Sequence, residues 1–177
     1  MTFEITPESV GDDSAHQPQP QIAPPLTGAD AKELRRVIMR AANLGVKLHR
    51  SMTYTEGPGR WSGITQERRS ILDETPPYSD CSAFATWCYW DASRWLDMPD
   101  IVNGQDWEAG YTGTMVQHGT AIPLADGQLG DLVFYGAVSL PYHVAIFAGN
   151  GEVVSMGRPG APELVPVGAA SMCRRYF

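Results

Sequence analysis

A cysteine at the head of a helix and a histidine at the head of a strand are the two residues of this chain best placed for covalent chemistry. Cys81 directly follows Ser79-Asp80 and opens an apolar-periodic stretch. Unpaired backbone N–H groups and the positive end of the helix dipole favour a thiolate there, and such sites lower a cysteine pKa from about 8.5 to roughly 3.5–7.5. The competing reading of a lone cysteine is a small buried hydrophobe. Cys88 fits that reading, two turns along the same face, and Cys173 has no helix start beside it to activate it. A base is also needed. His16 lies in a Pro/Gln-rich stretch and His49 ends the first helix, so both read as surface; His118, in a Gly-flanked loop, could line a groove. His143 follows Pro141-Tyr142 at a strand start and alternates with Ala145 and Phe147 on one face. Such a histidine is often structural, but paired with a helix-capping cysteine it can serve as general base to a thiol nucleophile.

The elements that must position this pair are legible from periodicity. After polar capping residues at Thr27–Asp30, the residues Leu34, Val37, Ile38, Ala41, Leu44 and Leu48 share one helical stripe. Lys32, Arg35, Arg36 and Arg40 form its opposite face, read as solvated. Residues 51–80 hold Gly57-Pro-Gly59 and Pro76-Pro77, so they read as loop with one short helix around Ile64–Leu72, a place suited to a substrate surface. A second helix spans Cys81 to Leu96, capped by Ser79 or Asp80, with Cys81, Phe84, Ala85, Cys88, Ala92 and Trp95 on one apolar face. From Pro99 to Ala125 the chain reads as irregular loop carrying Trp107, Tyr111 and His118. Strands follow at Asp131–Tyr135, His143–Ala148 and Glu152–Met156, the last two joined by the turn signal Gly149-Asn-Gly151, with a final strand at Arg174–Phe177. Helices first and a small antiparallel sheet second make an α+β fold.

Composition bounds the rest. The 177 residues are 43% hydrophobic and 19% charged, which supports one globular domain with a real core. The net charge of −7 is uneven: the first 28 residues hold Glu4, Glu8, Asp12 and Asp13 with no Lys or Arg, leaving −3 for the other 149. Five of the fourteen prolines also fall there, so residues 1–28 read as a disordered acidic tail and 29–177 as the domain. Nothing supplies the basic field that nucleic acid requires, and no apolar run approaches the roughly 20 residues that span a bilayer. Three cysteines with no CxxC pair argue against a disulfide scaffold or a cysteine-built zinc site, and no metal or other cofactor is expected. The N-terminus has neither a basic nor an apolar signal region, so synthesis in a cytoplasm is expected.

Tyr78-Ser-Asp-Cys81-Ser-Ala-Phe84 resembles the Asp-Cys-Ser-Gly-Phe nucleophile motif of the NlpC-type cell-wall cysteine peptidases. Gly130-Asp-Leu-Val-Phe-Tyr135 and His143-Val-Ala-Ile-Phe-Ala-Gly-Asn-Gly151 are similar to that family's Gly-Asp-Leu-Val-Phe and His-Val-Gly-Ile-Tyr-x-Gly-x-Gly block. The segments Tyr54–Trp61, Cys81–Trp90 and Trp107–Gly119 further resemble the N-terminal peptidase domain of lysin A endolysins of mycobacteriophages and related actinobacterial phages. The resemblance implies a papain-like fold, N-terminal helices packed on a small antiparallel sheet. It also implies attack by Cys81 on a peptide bond of the peptidoglycan stem peptide, with His143 as general base and then acid. In the wider family the bond usually joins D-isoglutamate to diaminopimelate or lysine. It further implies an actinobacterial-type wall as partner, a monomer, and passage from the host cytoplasm to the wall with a holin.

Within that resemblance, the oxyanion and substrate residues would be the backbone at Cys81 and Ser82, with Tyr54, Trp107 and Tyr111, and Asp80 would cap the helix and fix its loop. The family usually places a polar residue, often His, twelve positions after the catalytic histidine. Here that position is Ser155, within Ser155-Met156-Gly157. A three-residue loop at Gly149-Asn-Gly151 pairs Ser155 with Ala145, on the face of His143; a two-residue turn puts Met156 there and turns Ser155 away. A water, a backbone carbonyl or a bare Cys–His dyad are the alternatives to Ser155. Two other functions stand beside the peptidase: an N-acetylmuramoyl-L-alanine amidase of the related CHAP type, and a non-catalytic wall-binding module using Trp107 and Tyr111.

Overall fold

The computed structural model describes residues 26–64, 68–104, 107, 110–157 and 160–177. Most of the expected tail, residues 1–25, therefore lies outside the described residues. The tail's last three residues belong to the fold: Leu26 packs on the core, Thr27 caps the first helix and Gly28 begins it. That helix, α1 (Gly28–Lys47), has a reciprocal capping box between Thr27 and Asp30. It buries Leu34, Val37, Ile38, Ala41, Ala42 and Leu44, as the 3.6-residue stripe requires, whereas Leu48 is its half-buried C-cap. Its basic face is not wholly solvated, because Arg35 reaches across to buried Asp131.

The loop after α1 hides a short parallel pair that alternation is too brief to announce. Strand β1 (Thr53–Tyr54) pairs with β2 (Tyr78–Ser79), placing Tyr54 level with Ser79. Where a short helix was expected, the described residues form only a 3-10 turn at Ser70–Leu72. Helix α2 (Cys81–Trp95) then runs between α1 and the sheet, so it is buried almost all round. The expected one-sided stripe is corrected accordingly: Ser82, Thr86 and Asp91 are buried too, and Trp95 is 51% exposed. Asn103 bonds Thr86, and Ser70 and Arg69 bond Asp91, whereas the buried Ser93 hydroxyl has no partner among the described residues. Gly45 of α1 allows the close approach, since a Cβ there would meet the Phe84 ring at 2.6 Å.

The expected loop between Pro99 and Ala125 contains a one-turn helix, α3 (Thr112–Met115), and strand β3 (Thr120–Ile122). Four more strands were wholly or partly legible: β4 (Leu132–Ala137), β5 (Leu140–Gly149), β6 (Glu152–Met156) and β8 (Met172–Arg175). β7 (Pro162–Pro166), bounded by prolines, was not. Among the described residues they form one antiparallel sheet in the order β3-β8-β4-β5-β6-β7. Leu132, Phe134, Val144, Ile146, Val154 and Met156 share a core with the helices. Val133, Ala145, Phe147, Val153 and Cys173 form a second cluster, which gives Cys173 a packing role. Asp131, at the head of β4, accepts from Arg35 at 3.0 Å and Arg175 at 2.8 Å, tying α1 and β8 to the sheet.

Candidate active site

Asp80, not Ser79, caps α2. Its Oδ1 accepts from the Ala83 N–H at 2.7 Å and the Ser82 hydroxyl at 2.8 Å, while Oδ2 pairs with Arg60 at 2.8 Å. Arg60 also donates to the Gly110 carbonyl at 3.4 Å, so it joins the cysteine corner to the segment that carries Tyr111. Cys81 is buried, and the backbone N–H groups of Val144, Ser82 and Cys81 lie near enough to its sulfur to favour the thiolate. The Val144 N–H is open because the β5–β6 ladder stops at Ile146–Val154. The thiol thus sits against the residue next to His143.

Electrostatically the pair rests neutral. Burial first, then the Asp80 charge, push the Cys81 thiol up to about 12, against the pull of the three N–H groups. This corrects the expectation of a lowered pKa: the helix terminus is present, but desolvation of the sulfur outweighs it. Burial also lowers His143 below its usual value, with Asp80 acting in the opposite sense. A neutral imidazole beside a neutral thiol is a general-base arrangement, in which the proton leaves sulfur as the sulfur attacks.

The register of the β5–β6 hairpin combines the two alternatives. Its tip is a two-residue turn, Asn150-Gly151, both at positive φ (53° and 74°), the geometry that suits hairpin twist. A bulge at Ala148 supplies the extra residue, since Phe147 pairs with Val153 but Gly149 with Glu152. Ser155 therefore shares a face with His143, and its Oγ lies 2.8 Å from Nε2. With Nε2–H as the donor, Nδ1 keeps the lone pair that can take the thiol proton. Tyr135 packs beside the imidazole, ring centroids 5.4 Å apart.

Residues 56–160 match the NlpC/P60 family. The chain belongs to this family. Protein P54 of Enterococcus faecium is 34% identical over 94 residues, which are 53% of this chain and 16% of that protein. The peptidoglycan DL-endopeptidase CwlO of Bacillus licheniformis is 32% identical over 98 residues, 55% of this chain and 19% of CwlO. The chain thus matches only a small part of these relatives' lengths. Among solved structures, the NlpC/P60 domain of peptidoglycan hydrolase SagA superposes with a TM-score of 0.55 at 24% identity, covering 80% of this chain and 97% of that domain. Peptidoglycan hydrolase RipB of Mycobacterium tuberculosis superposes at 0.60 with 20% identity, covering 86% and 69%. These superpositions establish the α+β fold.

The remaining candidates of this NlpC/P60 domain fall into place unevenly. Tyr54 is half-buried and donates to Glu56 at 3.1 Å; its hydroxyl pKa is raised by burial, then by the nearby Cys81 and Asp80 charges. Ser82 directs its hydroxyl into the Asp80 cap and only its N–H toward the sulfur. Trp107 packs partly buried on the core, and Tyr111 is 47% exposed. His118 packs over Gly104, whose Cβ would meet its ring, and so belongs to that loop. His16 lies outside the described residues. Among the described residues no cluster of three or more His, Cys, Asp or Glu could hold a metal, and no helix is long and apolar enough to cross a membrane. Arg60 and the Val144 N–H were missed as site groups, the first because its partner lies 20 positions away and the second because backbone leaves no sequence signal.

Proposed function

We propose that this NlpC/P60 domain is a cysteine peptidase that hydrolyses a peptide bond in the stem peptide of peptidoglycan. The observation that carries this is Cys81 at the buried head of α2, with the Val144 N–H near its sulfur and the neighbouring His143 held through Nε2 by Ser155. His143 Nδ1 takes the thiol proton as sulfur attacks the carbonyl carbon. The oxyanion forms near the N–H groups of Cys81 and Ser82, with Tyr54 beside them. His143 then protonates the leaving amine, and water, activated by the same imidazole, hydrolyses the thioester and restores the thiol. Asp80 holds the loop, and Trp107 and Tyr111 contact the wall peptide.

The bond in this proposal is D-isoglutamyl–diaminopimelate, and the role is that of a lysin A-type endolysin. Such a protein is made in the host cytoplasm, works as a monomer and reaches an actinobacterial-type wall after holin permeabilisation. Mass spectrometry of muropeptides digested by wild type and Cys81→Ala tests the chemistry. A new amino terminus on diaminopimelate, absent with Cys81→Ala, is expected. Free lactyl-bearing sugar would instead indicate an amidase, and unchanged products with Cys81→Ala would overturn the cysteine mechanism.

A further inference from the structure

The β4–β5 hairpin breaks register immediately before His143. Tyr135 pairs with His143 but Gly136 pairs with Pro141, so Tyr142 is an extra residue bulged out of the ladder. Its ring lies across Gly136, which has φ +104° and where a Cβ would come 2.5 Å from that ring. Both constraints select glycine at 136, and the tyrosine seated on it is 77% exposed. Val138 and Leu140, at the tip of the same hairpin, are exposed too and extend an apolar edge. The Thr112 hydroxyl donates to the Pro141 carbonyl at 3.0 Å, which joins this edge to the one-turn helix beginning after Tyr111. Tyr111 likewise lies over a glycine, Gly113, where a Cβ would strike its ring. No residue from Gly136 to Tyr142 is charged. A bulge beside reacting groups aims a side chain, and an exposed apolar edge marks a surface that meets a ligand.

We infer that Tyr142 is a stacking platform for the sugar ring that carries the stem peptide, so that the site selects glycan-bound over free peptide. The inference rests on the peptidase reading and adds the part of the substrate beyond the cleaved bond. In that reading two residues separate the bond from the sugar, roughly 7–10 Å of extended chain. A ring on the residue before His143 covers that span. An aromatic face carries negative charge density and attracts the weakly positive C–H groups of a pyranose. An N-acetylated sugar is neutral, as the hairpin tip is, whereas a stem peptide brings carboxylates. The test compares a stem peptide with the same peptide on its N-acetylglucosaminyl-N-acetylmuramoyl disaccharide. Calorimetry on the Cys81→Ala protein should show the disaccharide tightening binding about tenfold. Adding Tyr142→Ala should abolish that gain, and adding Tyr142→Phe should preserve it, since the ring stacks and the hydroxyl does not. In Cys81→Ala alone, NMR should show the bound pyranose C–H protons shifted upfield by the ring current. No gain from the sugar, a gain that survives Tyr142→Ala, or unshifted sugar protons would overturn the assignment. Binding to phosphatidylglycerol vesicles that Tyr142→Ala abolishes would assign the edge to a membrane instead. Because binding is read without cleavage, an inactive wild type would count against the peptidase reading alone.

Discussion

Ser155 Oγ lies 2.8 Å from His143 Nε2 although the turn between their strands has only two residues. One unpaired residue, Ala148, makes this possible, because a single slip in a strand reverses every side chain beyond it. Ser155→Ala should lower kcat about tenfold with little change in KM, since the imidazole loses its orienting partner while the substrate surface stays. Ser155→Asn, which keeps a polar partner, should recover part of the loss. Steady-state kinetics on a stem peptide checks both, and wild-type kcat in Ser155→Ala would remove Ser155 from the catalytic group.

Deletion of Ala148 tests the register itself. Removing the extra residue lets Phe147 run straight into Gly149, so the two-residue turn should keep Val153 opposite Phe147 and Ser155 opposite Ala145. Activity should stay within a few-fold of wild type. The His143–Ser155 hydrogen bond should persist in the imidazole nitrogen shifts by NMR, and its loss would contradict this register.

The pH profile follows from burial. His143 is held below its ordinary 6.5, so the acid limb of kcat/KM should lie below 6.5. The Asp80 carboxylate favours imidazolium and opposes thiolate. Asp80→Asn, which keeps a capping oxygen, should therefore move the acid limb to lower pH still and speed alkylation of Cys81 by iodoacetamide. A limb that moves to higher pH contradicts this electrostatic account.

Arg60 neutralises Asp80, whose side chain is only 6% exposed. Arg60→Met strands that carboxylate and should cost about 2–3 kcal/mol, read by denaturant unfolding. The double variant Arg60→Met/Asp80→Asn should be less destabilised than Arg60→Met alone, because no buried charge is left unpaired.

Asp131 joins α1, β4 and β8 through two arginines and is fully buried. Asp131→Ala should lower stability by about 3 kcal/mol while leaving kcat near wild type at low temperature, since none of its partners touches the Cys81 corner. A thermal melt beside an activity assay separates the two effects.

Local physics made half of this protein readable before any folding. The Thr27 cap, the α1 stripe, the Asp80-Cys81 helix start and the alternation around His143 are encoded within a few residues, so helix and strand placement followed from spacing. Three things were decided only by tertiary structure. Burial of Cys81 against Val144 raised the thiol pKa where the helix end alone would have lowered it. The Ala148 bulge, invisible to alternation, aimed Ser155 at His143. Arg60 met Asp80 across a chain distance over which periodicity carries no information. Desolvation and strand register depend on what packs alongside, and the chain alone does not state its neighbours.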